Sequence, residues 1–281
     1  MLAPMLLQAT WLLMISAVAR TMAILEELSE EPSGITVSKL VERLKCEKSI
    51  VSRILSTLTD ADYVIRDPAT STYRIGLRFA GMALRHLDST GTSGLCQPLL
   101  QDVANKTGEL VQLLIVQNDQ MIYVAKAEGK QRVRVLSLVG RVAALHASAA
   151  GKVWLASLPE ERALAIVLKQ GMKKFTQNSV TTVDALRAEL ARARRAGFAI
   201  VEQEMFEDAS SVAVPIRGRQ GDRVVGAVVL SGPSYRLPKK RMTNLVPILR
   251  ELADRLSDVA NLDFQVESIG SGIMERKQRL A

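Results

Sequence analysis

The sequence is poor in the residues that form disulfide frameworks and metal sites. Its 281 residues include two cysteines and two histidines. Cys46 and Cys96 lie far apart and neither belongs to a CxxC pair, so neither a disulfide framework nor a zinc site is supported. His86 and His146 cannot form a multi-histidine metal site at this spacing. We therefore predict no metal, no cofactor and a cytoplasmic location.

Long uncharged apolar runs are also lacking, except at the amino terminus. Residues 1–19 carry no charged side chain, and the alternative of a transmembrane anchor has to be weighed. No basic segment precedes the run, Pro4 and Gln8 interrupt it, and it continues directly into an amphipathic pattern. We predict that residues 1–15 are an apolar extension that packs on a partner subunit, without a membrane role, and Met5 or Met14 could be the true start.

Aromatic residues are scarce as well, at 4% of the chain, but hydrophobic residues reach 48% and charged residues 23%. This profile is typical of a globular protein rather than a disordered one, and the length suits one small and one large domain. The formal net charge of +8 favours an anionic partner, with nucleic acid as the leading candidate. The alternative is that the charge serves only solubility.

The first part of the chain, residues 16–76, has the pattern of a winged helix-turn-helix. Apolar residues at helical spacing predict one buried face on a first helix, namely Ile15, Val18, Met22, Leu25 and Leu28. Thr36 is the predicted N-cap of a second helix, and residues 45–47 form a tight connection to a third. Two short strands, 63–65 and 73–75, flank a turn and form the wing.

The third helix is the predicted DNA-reading element because its outward face is basic and short-chained. Lys48 and Arg53 could contact phosphates, and Ser49, Ser52 and Ser56 would let the helix approach base edges. Two more residues complete the predicted DNA-binding set: Thr36 at the start of the second helix and Arg74 in the wing. Residues 1–86 contain 10 Lys and Arg against 9 Asp and Glu, so local placement must supply the attraction. The alternative is an ordinary solvated helix face.

The remainder is predicted to be a linker over residues 77–94, a mixed α and β domain over 95–262, and a loosely ordered tail over 263–281. Asn118 and Asp119 are the turn of a predicted hairpin. The other predicted elements are strands at 133–138, 198–201, 211–216 and 224–231 and helices at 77–87, 97–106, 148–157, 159–169, 183–196 and 240–260.

From residue 16 to residue 260 the chain resembles the IclR family of bacterial transcription regulators. The resemblance rests on motifs in family order: ARTMAIL at 19–25, KSIVSRIL at 48–55, YRIG at 73–76, LHASAAGK at 145–152, RRAGF at 194–198, VAVPI at 212–216 and LSGP at 230–233. It implies a GAF-like effector domain, assembly into dimers or tetramers, and ligand-dependent repression or activation.

The resemblance also implies an effector pocket. Members that bind small hydroxy or keto acids use an aspartate, a cysteine and two serines, besides amides at a helix start. These positions correspond here to Val201, Ser211, Val229 and Ser231, with the amides at Ala149 and Ala150. Two polar positions have become valine, and a pocket that loses hydrogen-bonding groups without replacing them should reject a very polar ligand. We therefore expect a more apolar effector, such as an aromatic or longer-chain acid.

Two other functions remain open at this point. Ser211, His146 and Glu202 have the residue types of a hydrolase, although no G-x-S-x-G elbow surrounds the serine. The Gly151-Lys152 pair is not a phosphate loop. The other alternative is an orphan sensor or scaffold that does not read DNA. We predict an α+β regulator that binds double-stranded DNA and a small-molecule effector and that self-associates, and we predict no enzyme activity.

Overall fold

The computed structural model describes residues 16–89, 95–131, 135, 138–218 and 223–259. Its contacts divide the chain into two compact units, Met1–His86 and Leu87–Ala281. The division point lies inside the predicted linker of residues 77–94. The expectations for the extension at 1–15, the end of the linker at 90–94 and the tail at 263–281 fall outside the described residues.

The smaller unit combines three helices with a small antiparallel sheet, as predicted for a winged helix-turn-helix. Its elements are α1 (Ser16–Ser29), β1 (Ile35–Thr36), α2 (Val37–Leu44), α3 (Lys48–Asp60), β2 (Val64–Asp67) and β3 (Thr72–Ile75). The strand order is β1-β3-β2. Strand β1 was not predicted, because two residues are too few to show an alternating pattern.

Helix α1 buries only part of the face that its spacing predicts. Leu28 is buried as predicted, at 1% exposed, but Val18 and Met22 are 48% and 44% exposed, and Ile24, outside the predicted set, is 1% exposed. The prediction that Val18 and Met22 face the core was therefore wrong. The segment contains more apolar residues than one helix face can hold, so the spacing alone does not select the buried stripe.

Helix α4 (Leu77–Ser89) follows the wing and overlaps the predicted helix at 77–87. Its first turn is attached to the smaller unit. The ring of Phe79 contacts that of Tyr63 edge to face at 6.2 Å between centroids, and the Arg78 guanidinium donates a hydrogen bond of 2.9 Å to the Ala61 carbonyl.

The larger unit is built on a five-stranded antiparallel sheet of order β5-β4-β8-β7-β6. Its elements are α5 (Cys96–Thr107), β4 (Leu110–Gln117), β5 (Gln120–Ala127), α6 (Ala149–Ala156), α7 (Glu160–Gln170), α8 (Val183–Ala196), β6 (Ala199–Glu202), β7 (Ala209–Arg217), β8 (Val224–Pro233) and α9 (Lys239–Val259). These agree with the predicted elements within two residues. The exception is the strand at 133–138, where only Val135 and Leu138 are described and neither is in a strand.

Both faces of this sheet are covered, which gives two separate cores. Helices α6, α7 and α8 cover one face, with Leu114, Ala213 and Val229 in the intervening core. Helices α5 and α9 cover the other face, with Val111, Val212 and Leu230 between them. The strands are apolar on both sides for this reason, in contrast to a strand with one solvated face. The fold is α+β, as predicted: a winged helix-turn-helix followed by an α/β domain.

The hairpin of β4 and β5 forms where the sequence predicts it. Asn118 and Asp119 both adopt positive φ, at 50° and 59°. A two-residue hairpin turn with two such residues matches the twist of its strands, and Asn and Asp tolerate the left-handed region better than most residues.

Gly151 allows α6 to lie against the segment that precedes it. A Cβ at this position would clash with the backbone carbonyl of Leu145, and both residues are fully enclosed in the unit. The glycine of the Gly151-Lys152 pair therefore serves close backbone packing.

We expect Gly151→Ala to destabilise the larger unit by about 2–4 kcal/mol, because a backbone carbonyl cannot move aside as a flexible side chain can. Gly81→Ala in α4 is the matched control. It meets only the Arg85 guanidinium at 3.6 Å and should stabilise its helix by up to about 1 kcal/mol. Urea unfolding of both variants measures the difference, and equal stabilities would contradict this role of Gly151.

Candidate DNA interface and effector pocket

Helix α3 presents a continuous polar face. Lys48, Ser49, Ser52, Arg53 and Ser56 are all exposed, while Val51 and Leu55 are buried in the core of the smaller unit. The structure thus brings together the five α3 residues of the predicted DNA-binding set on one side of one helix.

The helix-turn-helix is held by an ion-pair bridge between α1 and α2. Arg43 of α2 lies 2.9 Å from the Glu27 carboxylate and 2.6 Å from that of Glu31. Lys45 takes a left-handed conformation with φ of 51° and closes α2. Thr36 caps α2, as predicted, by accepting a hydrogen bond of 3.4 Å from the Lys39 amide. Its hydroxyl is thereby engaged with protein, and its DNA contact remains a prediction.

The wing carries exposed arginines on two strands. Arg74 of β3 and Arg66 of β2 are both exposed, and they are partners of Ile65 and Tyr73 in the ladder. The Arg66 guanidinium lies 5.9 Å from the centre of the Tyr73 ring. Arg66 is a second cationic group of the wing. The sequence analysis did not predict it, because no pattern in the neighbouring strand residues distinguishes it.

A pocket lies between the sheet and the start of α6. The cavity, together with the open space at its mouth, encloses about 500 Å³. All six residues of the predicted effector set line it: Ala149, Ala150, Val201, Ser211, Val229 and Ser231. We call this cavity the effector pocket. None of its lining residues has a charged side chain.

The register of the sheet explains how residues distant in sequence meet at this pocket. Ser231 of β8 is the partner of Ser211 of β7, and Ser211 is in turn the partner of Val201 of β6. Side chains on partnered positions project from the same face. One row across three strands therefore forms the floor.

The start of α6 supplies backbone donors to the same pocket. Ser148 is the N-cap, and its hydroxyl accepts a hydrogen bond of 3.1 Å from the Gly151 amide. Ala149 and Ala150 occupy the first two helical positions, where N–H groups lack an acceptor in the preceding turn. Helix starts of this kind favour anionic groups.

Four polar residues that the sequence analysis did not single out also line the effector pocket: Gln112, Tyr123, Ser148 and Ser210. This corrects the premise that polar groups were lost without replacement. The side chain of Gln112 is 3% exposed, and its Nε2 has no hydrogen-bond partner. Burial raises the pKa of Tyr123 to about 12, so its phenol keeps its proton. A glutamine in the interior of the apolar strand β4 was the available signal.

An ion pair buried behind the pocket joins α6 to the chain after β6. The Lys152 ammonium contacts the Glu204 carboxylate and lies 3.6 Å from that of Glu189. Burial raises the pKa of the Glu204 carboxyl, and Lys152 opposes this rise. Glu204 directly precedes Met205 and Phe206, which line the pocket, so the pair connects one wall to the helix opposite.

Both parts of the chain match domains of one protein family. Residues 17–68 match the IclR helix-turn-helix domain, and residues 85–258 match the C-terminal domain of bacterial transcriptional regulator IclR. The chain belongs to the IclR family. This IclR-family chain is therefore a transcription regulator with a DNA-binding helix-turn-helix and an effector-binding C-terminal domain.

Individual relatives agree with this assignment. The HTH-type transcriptional repressor AllR of Klebsiella pneumoniae is 28% identical over 89% of this chain and 92% of its own length. An IclR transcriptional regulator from Alicyclobacillus acidocaldarius is similar with a TM-score of 0.77 and 26% identity, over 87% of this chain and 98% of the other. An IclR homologue from Microbacterium hydrocarbonoxydans, solved in complex with 4-hydroxybenzoate, shares the fold with a TM-score of 0.73 and 24% identity, over 88% and 99% of the two chains.

The three residue types of the hydrolase alternative are not arranged as a catalytic triad. The His146 ring contacts the Lys173 carbonyl through Nε2 at 2.9 Å, and its Nδ1 has no partner. Glu202 is exposed, whereas Ser211 lines the effector pocket. Among the described residues no hydrogen bond joins the three.

The part of the chain that the structure describes holds neither a metal-binding cluster nor a membrane-spanning helix. Within it, no group of three or more His, Cys, Asp or Glu residues could hold a metal ion. Likewise, none of the helices in these ranges has the length and apolarity needed to cross a bilayer. Neither Cys46 nor Cys96 forms a disulfide within these ranges.

We expect Lys152→Met to destabilise the larger unit by about 3–5 kcal/mol, because it leaves the Glu204 charge buried without its partner. The double variant Lys152→Met with Glu204→Gln removes both charges and should recover part of this loss. Chemical denaturation of the single and double variants gives the coupling between the two residues. Additive effects would show that the buried pair does not stabilise this wall.

Proposed function

We propose that the protein controls transcription by changing its operator affinity when a carboxylic acid with an apolar or aromatic body binds the effector pocket. The observation that carries this proposal is the convergence of Ala149, Ala150, Val201, Ser211, Val229 and Ser231 on one uncharged cavity. Free amides at the start of a helix are suited to a carboxylate.

The body of the effector is inferred from the rest of the lining. Its larger apolar side chains are Leu138, Met205, Phe206 and the three valines, Val135, Val201 and Val229. Pockets of this composition obtain affinity from apolar contact and orientation from a few polar groups. An acid with an aromatic ring or a longer chain would contact the apolar wall and the polar groups together. A very small polar acid would leave the apolar wall without contact.

On the DNA side, we propose that Lys48 and Arg53 contact phosphates while Ser49, Ser52 and Ser56 lie close to base edges. Arg74 and Arg66 of the wing would contact the adjoining backbone. Phosphate contacts set the register on the duplex and base-edge contacts carry the sequence preference. Thr36, at the start of α2, is placed in this proposal near the phosphates that flank the groove.

Control requires two recognition helices, so we propose that the active form is a dimer or a tetramer. Helices of paired subunits fit successive major grooves only at about 34 Å or a multiple of it. An effector that binds one spacing more tightly shifts the population toward that spacing and changes operator occupancy. Helix α4, which leads from the wing toward the larger unit, is the proposed connection.

We expect the wild-type protein to shift a fragment of its own upstream region in a gel-mobility assay, and Arg53→Ala to weaken this binding about tenfold. Because a lost phosphate contact releases fewer counterions, the slope of log affinity against log salt should fall by about 1. Arg195→Ala, an exposed arginine of α8 in the other unit, loses the same charge and should leave both quantities unchanged.

Two results would count against the regulator proposal. An unaltered salt slope in Arg53→Ala would remove α3 from the interface. Failure to bind any upstream duplex, with or without acids, would favour the orphan sensor.

We expect thermal-shift screening of aromatic and longer-chain acids to identify a stabilising ligand, which calorimetry then measures. The panel includes 4-hydroxybenzoate, the ligand of the Microbacterium homologue. Ala149→Pro should weaken the binding of the identified acid about tenfold, because it deletes one charge-assisted amide donor at a position where helices accept proline.

Ser148 has the extended backbone, with ψ of 145°, that a following proline requires. The unliganded variant should therefore unfold at the wild-type temperature. Unchanged affinity in a folded Ala149→Pro protein would exclude the start of α6 as the carboxylate site. Binding restricted to glyoxylate-like acids would overturn the apolar effector.

A further inference from the structure

Gln112 is a buried polar residue that the structure leaves unsatisfied. It lies in β4 between Val111 and Leu113, which belong to the opposite core, and its own side chain shares a sheet face with Leu114 of the pocket-side core. Buried amide donors nearly always have a partner, and each exception needs an explanation. The explanation here must involve the effector pocket, because Gln112 lines it.

The neighbours of Gln112 in the sheet cannot satisfy the donor through their side chains. Its partners are Val229 in β8 and Lys126 in β5, and the partner of Val229 in β7 is Ala213. None of these side chains has an acceptor. The nearest polar row, Ser231 and Ser211, lies two residues further along these strands.

The pocket holds donors at two separate places. Ala149 and Ala150 supply backbone donors at the start of α6, and the protonated Tyr123 phenol and Gln112 Nε2 supply donors on the sheet. No carboxylate lines the cavity, and the serine hydroxyls of the lining can both donate and accept. A ligand that pairs with both groups of donors carries acceptor oxygens at two places, one for the helix start and one for the sheet.

We propose that Gln112 is a specificity-determining residue that selects acids bearing a second, uncharged acceptor oxygen, such as a keto group, on the apolar body. The carboxylate lies at the start of α6, and the second oxygen accepts a hydrogen bond from Gln112 Nε2. This inference rests on the proposed function, and it names the class of effector: oxo-substituted apolar or aromatic monocarboxylates.

The first arm of the test measures stability without ligand. Gln112→Leu removes an unsatisfied donor while keeping similar volume, so the unfolding temperature should stay the same or rise by about 2 °C. Gln170→Leu is the matched control. Gln170 donates to the Ala143 carbonyl at 3.0 Å and accepts from the Leu145 amide at 2.9 Å, so its loss should lower the unfolding temperature.

A clear destabilisation by Gln112→Leu would show that the amide has a structural partner, and it would overturn the proposal. Gln112→Met is the second variant. Its side chain is unbranched like that of glutamine, so it controls for a packing defect caused by the branched leucine. The proposal predicts that both variants retain wild-type stability, and a loss in both overturns it.

The second arm measures selectivity by calorimetry with three pairs of acids that differ only by a carbonyl in place of a methylene. The pairs are phenylglyoxylate and phenylacetate, 3-benzoylpropionate and 4-phenylbutyrate, and 4-acetylbenzoate and 4-ethylbenzoate. Wild-type protein should prefer the carbonyl member of at least one pair by about tenfold. Gln112→Leu and Gln112→Met should lose this preference while they still bind the methylene member.

The possible failures are distinguishable. If acids bind but the wild-type protein and the Gln112 variants show the same preference, the role of Gln112 is wrong and the proposed function stands. If no acid binds the wild-type protein, or if a bound acid leaves operator affinity unchanged, the proposed function fails together with the effector class.

Discussion

The close contact of α6 with the segment before it is the constraint on which the effector pocket depends. Gly151 has no side chain to separate the helix from the Leu145 carbonyl, and Ser148 caps the helix through the Gly151 amide. These two short-range interactions place the first helical amides over one face of the sheet. Without them the row formed by Ser231, Ser211 and Val201 would face solvent or apolar side chains rather than backbone donors.

In the larger unit a buried ion pair positions one wall of the effector pocket, while the lining of the pocket carries no charged side chain. Lys152 and Glu204 form an ion pair behind the wall that carries Met205 and Phe206, and the lining itself has no ionisable group other than the Tyr123 phenol. A buried pair stabilises little compared with an apolar substitute, but it restricts which arrangements leave both charges satisfied. The pocket can then offer oriented dipoles to a ligand charge without competing with a fixed cation.

The smaller unit depends on the placement of charge rather than on its amount. Its count of 10 basic against 9 acidic residues over positions 1–86 is nearly balanced. Glu27 and Glu31 are engaged with Arg43. Lys48 and Arg53 of α3 remain exposed. A locally basic face on a nearly neutral domain is sufficient for phosphate contact, because electrostatic attraction is screened over about 8–10 Å.

Sequence alone determined most helices and strands of both units, because turn residues and hydrophobic periodicity act over a few residues. Helix α8 has the predicted bounds, and Thr182 and Gly197 are its N-cap and C-cap. Asn118 and Asp119 form the predicted hairpin turn. Only the tertiary structure decided which stripe of α1 is buried, and only it placed Gln112 in the pocket without a partner. Both outcomes depend on residues far away in the chain, so no pattern within one element contains the information.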